Sequence, residues 1–204
     1  MEAAFWHERW AQHEIGFHMP YAHAALKDHW STLPLAPGAR VFVPLAGKSL
    51  DLVALAALGH EVVGVELSAV AVREFHDEHP QLRGVDLRCA DFFTLQPESL
   101  GQIAAIFDRA ALVALPPAMR RDYVAKMIDL SAPGTVTLLV SMEYDQREMR
   151  GPPHAVLREE IRALYGATHT IVELGVYGEL EDFPRMAARG VTTLGERVYR
   201  LQRR

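Results

Sequence analysis

The chain has 204 residues, half of them hydrophobic, and a formal net charge of −5, which suits one sizeable core and leaves no basic surplus for a nucleic-acid partner. A single cysteine, Cys89, excludes an internal disulfide and a multi-cysteine metal site, so no metal is expected. No apolar run approaches the ~18 residues of a membrane span, and the opening MEAAFWHERWAQHEIGF lacks the apolar segment of a secretory signal, so a cytoplasmic monomer with neither membrane nor nucleic-acid partners is expected.

The first 38 residues hold all three tryptophans and five of the ten histidines, and they end in the turn-rich LPLAPGA. They read as a helical N-terminal lid (1–38) over a sheet core (39–204) within one domain. ARVFVPL (39–45) is a short apolar run bounded by Pro and Gly, which suits a buried strand. SLDLVALAAL (49–58) has helical spacing and stops at Gly59, a natural C-cap position. EVVGVEL (61–67) is a second buried strand. SAVAVREFHDEH (68–79) is a helix with Ser68 as N-cap and Pro80 behind it. On this helix His76 and His79 flank two acids, with no third ligand group near in sequence, and read as a solvated face. VDLRCADFF (85–93) is a third strand, with Cys89 pointing into the core as an inert thiol.

IAAIFDRAAL (103–112) holds a fourth strand, and Pro116 and Pro117 open a helix to Leu130. TVTLLVSMEY is a fifth strand, HAVLREEIRALYG a helix ending at Gly166, and THTIVELGVY and GERVYRLQ are the last two strands. The linker between those two, GELEDFPRMAARGVTTL, is polar, broken by Pro and Gly, and not helix-like. Alternation at this spacing predicts an α/β fold: a seven-stranded, mostly parallel sheet with helices on both faces. The missing last helix predicts a final antiparallel strand.

Gly47-Lys48-Ser49 is the end of a phosphate-binding loop. Such a loop needs a glycine five residues before the Gly-Lys pair; here that residue is Phe42, and Pro44 removes a backbone donor. A different pattern fits. The first strand ends at Leu45, glycine follows in the turn, a helix begins near Ser49, and the second strand ends in Glu66, nineteen positions after Gly47. That is the arrangement for a cofactor carrying an adenosine, the carboxylate accepting from ribose hydroxyls. One glycine, where a dinucleotide loop has three, cradles a pyrophosphate poorly. A nucleoside without phosphates, such as S-adenosylmethionine, does not need that cradle.

FWHERWAQHEIGFH, VPLAGKSLDLVALAALGHEVVGVELS, FDRAALVAL and GPPHAV, in this order and spacing, resemble the bacterial branch of the thiopurine S-methyltransferase family from Phe5 to Arg197. The resemblance implies S-adenosylmethionine-dependent methyl transfer to a thiol or selenol on a class I methyltransferase sheet. Carried over by position, it implies that Trp6 and Trp10 lie in the block covering the cofactor and Leu45 in the loop of Gly47. It makes Glu66 the ribose acid, puts Asp91 and Phe92 beside the adenine, and has Arg109 contact the cofactor. It places Phe17 and Arg185 on the substrate side. Where the family reads Pro-Leu-Cys-Gly-Lys, this chain has Ala46.

Methyl transfer from a sulfonium needs an in-line sulfur anion and little water. The aromatic N-terminal block suits a lid, and no side chain is marked as a general base. Acceptors in this family's range are aromatic and heterocyclic thiols such as thiopurines, with selenium and tellurium species as further options. Two other readings stand beside this one. A nicotinamide-dependent oxidoreductase is disfavoured by the single glycine, and a non-catalytic nucleoside-binding domain by the joint presence of Glu66, Asp91 and Arg109.

Overall fold

The computed structural model describes residues 3–204. Seven strands form one sheet in the order β3-β2-β1-β4-β5-β7-β6: β1 (Arg40–Val43), β2 (Glu61–Glu66), β3 (Val85–Cys89), β4 (Ala105–Arg109), β5 (Val136–Glu143), β6 (His169–Glu179) and β7 (Gly195–Arg203). The helices are α1 (Ala3–Ala11), α2 (Ala24–His29), α3 (Leu50–Ala57), α4 (Ala69–Glu78), α5 (Pro97–Leu100), α6 (Pro117–Leu130), α7 (Arg158–Tyr165) and α8 (Pro184–Ala187). Two compact units divide at Phe107/Asp108.

In the first unit β1, β2 and β3 run parallel, with Val43 opposite Gly64 and Glu66 opposite Cys89. All of β1 but Arg40, and all of β2 but Glu61, is buried, as a parallel strand covered on both faces requires. Ser49 and Ser68 cap α3 and α4, their hydroxyls accepting from the amides of Asp51 and Ala71. Gly59 takes the left-handed conformation (φ 87°) that ends α3. The N-terminal segment is in two parts. Ala25, Leu26, Trp30 and Leu33 are buried as core. The Trp30 indole donates to His60 Nε2 at 2.8 Å, which leaves His60 Nδ1 to donate to the Ala39 carbonyl at 3.1 Å. The other part is α1 and the turns after it.

The second unit packs α6 and α7 with β5, β6 and β7. β7 pairs antiparallel with both β5 and β6, Tyr199 standing opposite Leu139 and Glu173. The final strand thus returns antiparallel, and it inserts between its two predecessors. β6 is the sheet edge and carries register shifts at Glu173/Gly175 and Val176/Gly178, irregularities that discourage edge pairing. Among the described residues no helix is long and apolar enough to cross a membrane.

Several expectations change. The third strand ends at Cys89, because the Asp91 carboxylate caps a 3₁₀ turn over Phe92–Thr94. Cys89 is exposed: β3 is an edge strand in which only Leu87 is buried, so its end outruns the core. The helix expected from His154 starts at Arg158, because the amides of His154 and Val156 bond in extended geometry to the carbonyls of Val113 and Met142. The linker before β7 contains a short helix, α8. It is anchored by Met186, Val191 and Leu194 in an apolar cluster with Tyr144, Met149 and Ala155.

Gly64 tests the packing at the centre of β2. A Cβ there would stand 2.7 Å from Leu87 Cδ1 and 3.0 Å from Leu52 Cδ2, both on buried side chains. Gly64→Ala is expected to lower stability by about 1–3 kcal/mol, read as a fall in Tm of roughly 2–4 °C per kcal/mol by calorimetry. An unchanged Tm would show that the two leucines yield freely.

Candidate functional site

The site grows from the carboxyl ends of β1, β2 and β3. In the strand order, the chain steps outward from β1 to β2 and β3 and then returns to the other flank of β1. Crevices for ligands form at such a reversal, beyond the carboxyl ends of the strands. The loop leaving β1 is unusual there. Leu45 has φ 46° and Gly47 φ 55°; for leucine the left-handed region is unfavourable by about 1–2 kcal/mol. That strain is the kind found at ligand-binding turns.

Glu66 holds the loop in this shape. Its side chain is buried, with Oε2 accepting from the Gly47 amide at 2.9 Å and Oε1 from the Ser68 amide at 2.8 Å. Burial pushes its pKa up, while the amides of Ser68, Gly47 and Leu67 and the charge of His7 pull it down. Each carboxylate oxygen retains a second lone-pair direction, so Glu66 can accept from the hydroxyls of a ribose while keeping both amides.

Above this loop sits the N-terminal aromatic cluster. An added Cβ at Gly47 would lie 3.1 Å from the Trp10 ring, so only glycine lets the indole and the backbone approach this closely. Trp10 is buried and packs edge-on to Phe17 (ring centroids 5.6 Å apart), which also meets Trp6 at 5.5 Å. Phe17 is 42% exposed and Tyr21 54%. Trp6, Trp10 and Phe17 therefore form one cluster over Gly47. Asp91 follows β3 and is exposed, its Oδ1 accepting from the Phe93 amide at 2.9 Å. The Phe92 ring is buried and lies parallel to Phe42, so Phe92 supports the floor from the core.

Lys48 is turned away from any phosphate position. Its ammonium pairs with Glu78 at 2.6 Å and Glu74 at 3.0 Å, both on α4. Glu74 in turn faces His13 at 3.5 Å, in the turn after α1. Among the described residues no three His, Cys, Asp or Glu side chains gather as metal ligands.

The other two carried-over residues belong to the second unit. Arg109 ends β4, half-buried, and is followed by Ala110 at φ 64°. Arg185 is exposed on α8. Asp108, which the sequence offers only as an ion-pair partner for Arg109, is fully buried, and burial raises its pKa to about 6. The unit also holds a cavity of about 620 Å³ lined by Arg120, Glu143, Tyr144, Arg147 and Glu160. Its charges are already paired: Arg120 with Glu160, Arg147 with Asp145, and Glu143 with Arg197.

Known proteins match this chain closely. A family model described as Thiopurine S-methyltransferase matches residues 1–204. A "Thiopurine S-methyltransferase" of Pseudomonas fluorescens (strain SBW25) is 45% identical over 98% of this chain and 99% of its own. One from Azotobacter vinelandii is 44% identical over 100% of both chains. Among solved structures, a SAM-dependent methyltransferase from Anabaena variabilis shares the fold, with TM-score 0.71 at 13% identity over 99% of this chain and 95% of that one.

The Lys48 arrangement yields a test. In Lys48→Ala the acids Glu74 and Glu78 lose their common cation, and stability is expected to fall by about 1–2 kcal/mol, between exposed and buried pairs. Calorimetry is expected to detect no ATP binding by the parent or the variant. ATP affinity in the parent that disappears in Lys48→Ala would restore the phosphate-loop reading.

Proposed function

Because the chain belongs to the thiopurine S-methyltransferase family over its whole length, we propose that it transfers a methyl group from S-adenosylmethionine to the sulfur of an aromatic or heterocyclic thiol, thiopurines among them, with selenium and tellurium species as further acceptors. The observation that carries the cofactor half of this reading is the buried Glu66 carboxylate, held over the strained Leu45–Gly47 turn by two backbone amides. A buried acceptor with spare lone pairs beside a close-approach glycine suits a nucleoside diol. When bound, S-adenosylmethionine supplies an electrophilic methyl on a sulfonium.

The chain's own residues provide position and surroundings. In this reading Glu66 fixes the ribose, Asp91 accepts from the adenine amino group, and Leu45 and Gly47 pass their backbone close to the cofactor. Trp6, Trp10 and Phe17 close over it and exclude water. Phe17 and Arg185 face the acceptor, and Arg109 contacts the cofactor. Excluding water favours the reaction of a thiolate with a sulfonium, because charge disappears toward the transition state. No side chain is assigned as general base, so the acceptor enters already ionised. The chain works as a cytoplasmic monomer in this reading, as one domain whose residues 1–38 include the lid.

Two measurements test the proposal. Glu66→Gln keeps the shape but replaces an acceptor oxygen with a donor, and losing hydrogen bonds to a charged group is expected to weaken S-adenosylmethionine binding roughly tenfold to a hundredfold, an effect of about 1.5–3 kcal/mol. Calorimetry on the parent should find S-adenosylmethionine bound and NADH not bound. Unaltered affinity in Glu66→Gln would remove Glu66 from the site.

The second measurement concerns the acceptor. At saturating cofactor, kcat/KM measured against pH for three thiols of different pKa is expected to inflect at three different pH values, each following its own thiol. Alkyl thiols, mostly protonated near neutral pH, should be the poorest of the set. One inflection shared by all three would point to a general base on the enzyme.

A further inference from the structure

The end of β4 carries a polar group with no task in the reading above. Asp108 lies one residue before Arg109 and is fully buried. Its Oδ2 accepts from the Tyr123 hydroxyl on α6 at 2.8 Å, and its Oδ1 from the Leu112 amide at 3.3 Å. The Ala111 amide also donates to it. These bonds span the turn in which Ala110 stands at φ 64°. A non-glycine residue keeps that conformation only where its surroundings over-determine it, and the Asp108 carboxylate is the group that ties both ends of this turn.

We propose that Asp108 is the positioning residue for Arg109: its carboxylate clamps the amides of Ala111 and Leu112 and the Tyr123 hydroxyl, and so fixes the one backbone path in which Arg109 leaves the strand for the cofactor. The inference rests on the cofactor role proposed for Arg109. The groups facing the carboxylate are Tyr123 from α6 and Tyr165 from α7, the latter with a buried hydroxyl that makes no hydrogen bond. Burial lifts the Asp108 pKa to about 6, against the pull of its three hydrogen-bond donors. Above that pH the carboxylate accepts all three. Below it the carboxyl bears a proton of its own, accepts more weakly, and the clamp loosens.

Glu66 also has a raised pKa, so cofactor affinity against pH would not single out Asp108, and a local reporter is needed. In ¹⁵N-labelled full-length protein without ligand, taken from about pH 5 to about pH 8, the Ala111 and Leu112 amide signals are expected to shift with a midpoint near 6. Asp108→Asn should abolish the transition. Tyr123→Phe, which leaves the acid in place, should move it upward, because a bond favouring the charged form is gone.

Function is read by calorimetry with S-adenosylhomocysteine above neutral pH. Asp108→Asn and Arg109→Ala are each expected to weaken binding by about tenfold, and the double variant by no more than Arg109→Ala alone, since residues acting through one another are not additive. A transition that survives in Asp108→Asn, or that Tyr123→Phe leaves in place, overturns the clamp. So do losses that multiply in the double variant. A parent that fails to bind S-adenosylhomocysteine overturns the cofactor reading itself and takes the role of Arg109 with it; additive losses in a parent that binds overturn the clamp alone.

Discussion

Burying a carboxylate at the end of a strand is unfavourable unless its lone pairs are used, and Glu66 uses them to hold two chain segments at once. Its bonds to the amides of Gly47 and Ser68 join the turn after β1 to the turn after β2. With the Gly47 amide directed at Glu66, the preceding Leu45 is held in a left-handed conformation, and the bare face of Gly47 receives the Trp10 ring. Loop shape, aromatic cover and acceptor are thus consequences of one buried acid. The same burial raises the Glu66 pKa. For an acid with a raised folded-state pKa, the favourable contribution belongs to the protonated form. It is complete below the ordinary glutamate range and is lost as pH rises through the raised value. Once ionised, Glu66 therefore subtracts from stability, as does any acid whose charged form burial disfavours.

Asp108 obeys the same logic at the end of β4. Its pKa of about 6 arises from burial, with hydrogen bonds only partly offsetting it. Asp145 makes the contrast. It is held down to about 2 by hydrogen bonds from the highly exposed Arg147, a surface pairing that says little about function. Ion pairs are plentiful in the second unit, including the Arg197 link to Glu143 and Glu173. Among the described residues the two acids shifted upward, Glu66 and Asp108, are instead at strand ends, where open α/β sheets place their chemistry.

The sheet was legible because its interior strands are continuous apolar runs bounded by turn residues, and Ser68 as N-cap and Gly59 as C-terminal stop marked helix ends correctly. Glu66 was legible from its distance to Gly47. Cys89 was misjudged because an edge strand running past its covering helices has no sequence mark that separates it from a buried one. The start of α7 was placed early because the bonds that hold His154 and Val156 extended come from Val113 and Met142, distant in sequence. The linker before β7 looked structureless because its short helix gains its stability from an apolar cluster with residues 144–155. Asp108 was legible only as a salt-bridge partner for Arg109, because Tyr123, which donates to the buried acid, lies fifteen residues later in sequence.

The fate of Lys48 explains how a Gly-Lys-Ser tripeptide is compatible with the proposed nucleoside site. Glu74 and Glu78 are four residues apart on α4, a spacing at which like charges repel. Lys48 relieves that repulsion by pairing with both. A phosphate loop needs its lysine and its backbone amides aimed at one point. Here the lysine is bound to α4 and the Gly47 amide to Glu66, so two of the donors that would gather around a phosphate are already committed to acids. What the turn still offers is close backbone approach and a carboxylate with spare lone pairs. Those features suit the sugar diol of the proposed cofactor, and of the three carboxylates that take up these donors, Glu66 is the one that fixes the turn.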